Sequence, residues 1–453
     1  MYPDYNVKNI NSFKDLIKIM QLEHASEVAF SCSTGDISYA DLVDRILKFA
    51  NGISKVDYSK IRLDFNNAVN FASAYIATVL VGKIAVLGES SLPIREDTVK
   101  VDDDSYSSYI TDESFVLSDL PNTDITAVCT ILHSSGTSSA PKGIMLSQKN
   151  LCSDVVSGLQ KYSMRKGDRF VNLIPYYHAF GIVCDLLGPF LVGATIYVLD
   201  NKKLFLAEMP RIKPTILNVP PVIAETLLKL IKSTGKADML TGGCLRKILC
   251  GGAGLKATVA KELREYGIFA YGCYGLSECS PCVAVNRDDH YKDGSAGVPL
   301  NCNTITIADD GEILISGTNV MLGYYNDSEA TDKVIIDGVL HTGDLGYLDE
   351  EGFLFITGRK SNLIVFSDGT KCSPETLEEQ IVANTAAEEA VVYQNNIENR
   401  ATLCAKIYLP DLSKKSDVIN FIENTLTRHK FDVVDFTEEP LPKNSTGKIR
   451  RDF

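Results

Sequence analysis

Residues 134–143 run Ser-Ser-Gly-Thr-Ser-Ser-Ala-Pro-Lys-Gly. Ser134, Ser135, Thr137 and Ser138 offer hydroxyls, Gly136 opens the backbone to an anion, and Lys142 adds positive charge. Donors and charge in this density suit a polyphosphate. The segment is not a Walker loop, which needs Gly-Lys-Ser/Thr at the start of a helix. Here Lys142 precedes Gly143 and a strand-like run, Ile144 to Leu146. Taken alone, a polar run of this kind fits a turn between strands equally well. The chain also has 12 cysteines and 6 histidines. Cys279 and Cys282 form the only Cys-x-x-Cys, and no second pair or nearby histidine completes a zinc set. Free thiols in a reducing compartment are the plainer reading. The histidines show no metal-ligand spacing.

Several elements must position such groups. Apolar residues at Leu42, Ile46, Phe49 and Ala50 predict a helix over Asp41 to Gly52. Ile125 to Leu132 has the length and apolar character of a buried strand. Leu151, Val155, Leu159 and Tyr162 share one face of a helix for which Ser147 is the N-cap. Pro221 to Ile231 reads as a helix and Ile248 to Cys250 as a strand entering Gly251-Gly252. Such alternation predicts an α/β architecture with mostly buried strands. After Leu340 the texture changes. A hairpin is expected from Leu345–Leu348 and Phe353–Thr357, and a helix start with cap at Ser373-Pro374-Glu375. Strands at Ala390–Tyr393 and Leu403–Leu409 and a helix near Ser416–His429 complete a small α+β module. The expected division is a large domain over 1–357 and a small one over 358–453.

The chain has 453 residues, 45% of them hydrophobic, enough for more than one core. Its net charge of −13 and lack of a basic stripe argue against nucleic acid as partner. The most apolar run, Phe71 to Gly88, is broken by Lys83 and reads as a helix followed by a strand, Ile84 to Leu87, rather than an integral membrane segment. No secretory signal is evident, so a cytoplasmic location is expected.

The polar loop resembles the phosphate loop of the adenylate-forming superfamily, the AMP-binding enzymes that include acyl-CoA synthetases, luciferases and peptide-synthetase adenylation domains. Further segments match in the same order. They are Pro175-Tyr176-Tyr177-His178-Ala179-Phe180-Gly181, Gly251-Gly252-Ala253-Gly254-Leu255, Tyr274-Gly275-Leu276-Ser277-Glu278, Thr342-Gly343-Asp344, Gly358-Arg359, and Pro442-Lys443-Asn444-Ser445-Thr446-Gly447-Lys448. The resemblance is dense from about Val128 to Glu379 and at the C-terminal end, and thin before Asp124.

What the resemblance implies is specific. ATP and Mg2+ are the expected cofactors. The nucleotide would contact Ser134 to Ser138, Lys142, Gly251, Gly252, Ala253, Tyr274, Gly275, Ser277, Asp344 and Arg359. Glu278 would hold Mg2+, a cation that favours carboxylate and phosphate oxygen. Tyr274 would stack on adenine, and Asp344 would accept from the ribose hydroxyls. Lys448 would stabilise charge in the transition state from a C-terminal lid turning about Arg359 to Asn362. Tyr177, His178, Phe180, Val219 and Pro220 would wall the acid site, with His178 also counted among the catalytic groups. His178 stands where amino-acid-activating relatives carry an aspartate, so an apolar acid is expected. The segments 274–286, 320–325 and 359–374 look most like bacterial medium- and long-chain acyl-CoA synthetases. The implied reaction joins a fatty acid to CoA through acyl-AMP. The alternatives are transfer to a carrier protein's phosphopantetheine and a degenerate nucleotide-binding relative. Ser139, Ser277 and Ser361 depart from the usual pattern, the last at the hinge.

Overall fold

The structure, a computed structural model, describes residues 4–89, 97–133, 141–365, 371–397, 400–426, 431–443 and 449–450. By internal contacts the chain divides into two compact units, residues 1–305 with 315–340, and residues 306–314 with 341–453.

Among the described residues the first unit contains three sheets. One orders the strands Gly323–Tyr324, Gly143–Ser147, Val128–His133, Ile84–Leu87, Lys60–Asp64 and Thr98–Asp102. Val128–His133 and Gly143–Ser147 are antiparallel neighbours, so residues 134–142 link two adjacent strand ends. The strand begins at Val128 rather than Ile125 because Asp124 accepts from both the N–H and the hydroxyl of Thr126 and forms a turn. A second sheet runs Ile216–Val219, Lys247–Cys250, Phe269–Gly275, Cys282–Val285 and Val298–Pro299. Its first three strands are parallel and carry the loops at Pro220 and Gly251 and the turn after Tyr274 at their C-terminal ends. That is where open α/β sheets place ligands. The third sheet runs Gly35–Ser38, Val28–Cys32, Thr195–Tyr197 and Arg169–Val171.

Local chemistry explains the helices. Tyr39–Ser54 starts at a capping box formed by Ser38 and Asp41, and Gln148–Lys161 at one formed by Ser147 and Asn150. Ala68–Leu80 is buried on every side, which accounts for its uniform apolarity, and leads to the strand Ile84–Leu87. No described helix is long and apolar enough to cross a membrane.

Val339–Leu348, which belongs to the second unit from His341 onward, and Leu354–Arg359 form the expected antiparallel hairpin. Glu389–Ile397, Arg400–Tyr408 and Val433–Thr437 form a three-stranded sheet. The helices Pro374–Asn384 and Lys415–Thr425 pack on it through Ile381, Val418 and Ile422 against Val392, Ala405 and Ile407. Ser373 occupies the N-cap position but makes no cap bond. Its hydroxyl donates instead to the Thr357 carbonyl (2.6 Å) and the Glu375 carboxylate (2.9 Å). It fills space beside Gly358, where a Cβ would lie 2.1 Å from the Ser373 oxygen.

Candidate functional site

In the first unit the strand Val128–His133 ends beside Leu87, whose carbonyl bonds His133 Nδ1 at 2.8 Å. Ser134, Ser135, Gly136, Thr137 and Ser138 follow and lie outside the described residues, as does Ser139. Lys142, on the far side of that segment, places its Nζ 4.7 Å from the centroid of the Tyr324 ring.

Tyr274 is buried at the end of the strand Phe269–Gly275, and the chain then turns tightly. Gly275 permits the turn, since a Cβ there would stand 2.1 Å from the Pro281 carbonyl oxygen. Leu276 N–H donates to that oxygen at 2.9 Å, and the 3-10 helix Ser277–Cys279 follows. Glu278 emerges half-buried, and its Oε1 accepts from the Tyr324 hydroxyl at 2.9 Å. The turn is held from below by the helix Gln148–Lys161. Asp154 on that helix accepts from Cys282 N–H and Asn319 Nδ2, both at 3.2 Å. Complete burial pushes the Asp154 carboxyl well above its ordinary pKa.

Tyr177 and His178 precede the short helix Ala179–Ile182, their rings 4.6 Å apart. Burial lowers the His178 pKa, opposed by the charge of nearby Glu89, so the imidazole is neutral near pH 7. Glu89 is set by Arg62, a buried guanidinium that donates to the Gly88 and Glu89 carbonyls at 3.2 and 2.6 Å. Phe180 reaches the glycine pair. Its ring would meet a Cβ on Gly251 at 2.9 Å, so only glycine lets the two segments approach so closely. Gly252 adopts φ 82° and is exposed, and Ala253 is half-buried. Pro220 caps the helix Pro221–Thr234. Val219 is fully buried in the core with Val171, Leu217 and Ile248, and its carbonyl accepts from Gly251 N–H at 3.3 Å.

In the second unit Asp344 is nearly buried and paired with Arg359, its neighbour across the hairpin, at 2.7 Å. Gly343 adopts φ 70° and donates its N–H to Glu312 at 2.8 Å. Burial alone would raise the Glu312 carboxyl, but bonds from Lys360, Gly343 and His341 outweigh it and hold it below its usual pKa. Ser361 is exposed, and Asn362 bonds Glu375 at 2.6 Å. Lys448 lies outside the described residues.

Sequence reasoning gave no role to Tyr324, Glu89 or Arg62. The Gly-Tyr pair at 323–324 was the one available signal for the first. The other two stand in a region where the family resemblance is thin.

Among the described residues, no group of three or more His, Cys, Asp or Glu side chains could hold a metal. Glu278 still fits a site in which one carboxylate and substrate phosphates share Mg2+.

Residues 88–325 match the model of the AMP-binding enzymes. The 2-succinylbenzoate–CoA ligases of Bacillus cereus (strain ATCC 14579) and Bacillus mycoides (strain KBAB4) are 27% identical over 450 and 453 residues, covering 92% of this chain and of theirs. Three solved structures share the fold. ATP-bound MatB from Rhodopseudomonas palustris superposes with a TM-score of 0.84 at 22% identity over 98% of both chains. The anthranilate CoA ligase AuaEII with anthranoyl-AMP gives 0.83 at 19% identity over 99% of this chain and 96% of that one. The o-succinylbenzoate CoA synthetase MenE of Bacillus subtilis with ATP and magnesium gives 0.79 at 23% identity over 96% and 97%. The Bacillus relatives are named for 2-succinylbenzoate, not for the fatty acids that the sequence led us to expect. The fold is that of the adenylate-forming enzymes, and the expected class, an acid–thiol ligase, agrees with it. The chain belongs to the AMP-binding enzyme family.

Proposed function

We propose that this enzyme joins an aromatic carboxylic acid, with 2-succinylbenzoate as the first candidate, to CoA through an acyl-adenylate. The observation that carries the reading is the match to 2-succinylbenzoate–CoA ligases along 92% of both chains. The acid-site segment is compatible with it. Tyr177, a neutral His178 and Phe180 offer aromatic surface, and an acid without an ammonium group needs no counter-charge there.

In the first step a carboxylate oxygen attacks the α-phosphorus of ATP and pyrophosphate leaves. In the second the thiol sulfur of CoA attacks the acyl carbonyl and AMP leaves. When bound, Mg2+ supplies charge neutralisation on the phosphates, and Glu278 is the side chain that would hold it. Lys142 contributes a second positive charge, Asp344 accepts from the ribose hydroxyls, and Arg359 fixes the Asp344 carboxylate by their ion pair. Lys448 donates to the developing charge in the first step only.

A fatty acid, the substrate first expected, would also suit these apolar side chains, so one assay weighs both. Pyrophosphate–ATP exchange is measured with 2-succinylbenzoate, anthranilate, fatty acids of increasing length and an α-amino acid. The reading expects exchange with 2-succinylbenzoate well above the others. Exchange with fatty acids alone would overturn the substrate, and no exchange with any acid would favour a degenerate relative. Thioester formation with CoA, compared with a phosphopantetheinyl carrier protein, then identifies the acceptor.

A further inference from the structure

Tyr324 joins two segments that are far apart in sequence. Its hydroxyl donates to Glu278 Oε1 at 2.9 Å, and its ring face carries the Lys142 ammonium 4.7 Å from the centroid. The surrounding backbone is bonded to the same two segments. Met321 N–H donates to the Glu278 carbonyl at 2.8 Å, Leu322 N–H to Met145 at 2.9 Å, and Tyr325 N–H to Gly143 at 2.6 Å. Asn150 Nδ2 holds the Val320 carbonyl at 2.9 Å, and Thr331 Oγ1 accepts from Tyr324 N–H at 2.8 Å. Gly323, at φ 133°, lets the strand pass Thr331, whose methyl would lie 2.8 Å from a Cβ. The phenol is therefore fixed before any ligand arrives.

We propose that Tyr324 is a positioning residue that orients the Glu278 carboxylate and the Lys142 ammonium together for a metal–nucleotide complex. The proposal rests on the ATP-dependent reading above. A carboxylate with one oxygen already bonded has its other oxygen aimed, so less rotamer freedom is lost when a cation binds. The ring holds Lys142 by cation–π attraction. Tyr324 thus acts through both groups without itself touching the reacting atoms.

The test is ATP binding by isothermal titration calorimetry, with Mg2+ and with EDTA, for the wild type, Tyr324→Phe and Tyr324→Leu. Tyr324→Phe keeps the ring and loses the hydroxyl. It should reduce the Mg2+-dependent gain in affinity by about tenfold, the scale of a hydrogen bond to a charged group, and leave binding in EDTA unchanged. Tyr324→Leu should in addition lose about 2- to 5-fold in EDTA, as the Lys142 contact goes. Melting curves check that the variants fold. Should Tyr324→Leu not fold, Tyr324→Phe in a Glu278→Gln background replaces it, and there the phenylalanine should cost nothing further. Equal losses with and without Mg2+, or no loss in Tyr324→Phe, would overturn the proposal. Failure of the wild type to bind ATP in either condition would instead overturn the ligase reading on which it stands.

Discussion

At the scale of single residues, charge placement decides what this site can do. Glu278 is the acid proposed to hold the cation, with one oxygen held by Tyr324 and its backbone pinned by Met321. Glu278→Gln should slow exchange at limiting Mg2+ by roughly 10- to 150-fold, from the loss of about 1.5–3 kcal/mol of charge-assisted contact. An unchanged rate would remove Glu278 from the site. His178 makes the opposite case, a titratable group kept uncharged. Burial lowers its pKa below the usual 6.5, so it is neutral on the alkaline side of that value. Wild type and His178→Gln should therefore show parallel pH profiles of kcat/KM between about pH 6.5 and 8.5. An inflection present in the wild type alone would show that the imidazole ionises in that range.

At the scale of elements, two close packings carry consequences. Gly251→Ala brings a methyl to 2.9 Å from the Phe180 ring. Overpacking of this kind costs about 1–3 kcal/mol, so a lower melting temperature and a raised KM for the acid are expected. Adding Phe180→Leu should recover most of the stability by removing the ring edge. If it does not, that contact is not the cause. The second packing is the π-helical turn Val183–Leu187, which buries Asp185 against Asn218, with Asn218 Nδ2 donating at 2.7 Å. Burial pushes the Asp185 carboxyl up to about 7. Between its ordinary 3.8 and that value the native chain holds a proton that the unfolded chain releases. Stability therefore falls as pH rises through this window, and the loss is complete above the folded pKa. Asp185→Asn lacks this dependence. Denaturant unfolding at pH 5 and pH 8 should show the variant gaining on the wild type by on the order of a few kcal/mol, because each pH step of one within the window costs the wild type about 1.4 kcal/mol. Parallel stability curves would mean that Asp185 is already ionised in the folded state.

At the scale of the whole molecule, the proposed mechanism assigns Lys448 to the first half-reaction alone. The lid boundary at 357/358 and rotation about Arg359 to Asn362 are proposals drawn from the family resemblance. Kinetics can test them directly. Lys448→Ala should lose adenylate formation by roughly 10²–10³, the scale of one preorganised donor. It should still convert supplied acyl-AMP to thioester at the wild-type rate, because a group absent from a transition state cannot change its barrier. Ser361→Pro, which fixes φ at the exposed residue of the proposed hinge, should spare adenylation and slow thioester formation. Single-turnover quench times each half. Equal slowing of both by Lys448→Ala would make that lysine a general structural contact.

The sequence alone determined the family, the order of the motifs and most element types, because these are carried by local patterns. Examples are the Ser147 cap, the alternation of buried strands, and the glycines at 251 and 275, where a backbone or ring must come close. The expected fatty acid finds no support in the Bacillus relatives, which are named for 2-succinylbenzoate, since the type of a pocket wall says less about a ligand than its shape does. What only the tertiary structure decided are relations between residues distant in the chain. Tyr324 meets Glu278 across 46 positions, Phe180 meets Gly251, and Arg62 sets Glu89 beside His178. The residues of each pair stand 27 or more positions apart in the chain, so no helical or strand periodicity announces the contact. Arg62 and Glu89 meet because their strands pair in parallel, whereas Tyr324, on an antiparallel edge strand of one sheet, meets a turn that follows a strand of another, a contact that forms only when the whole unit folds.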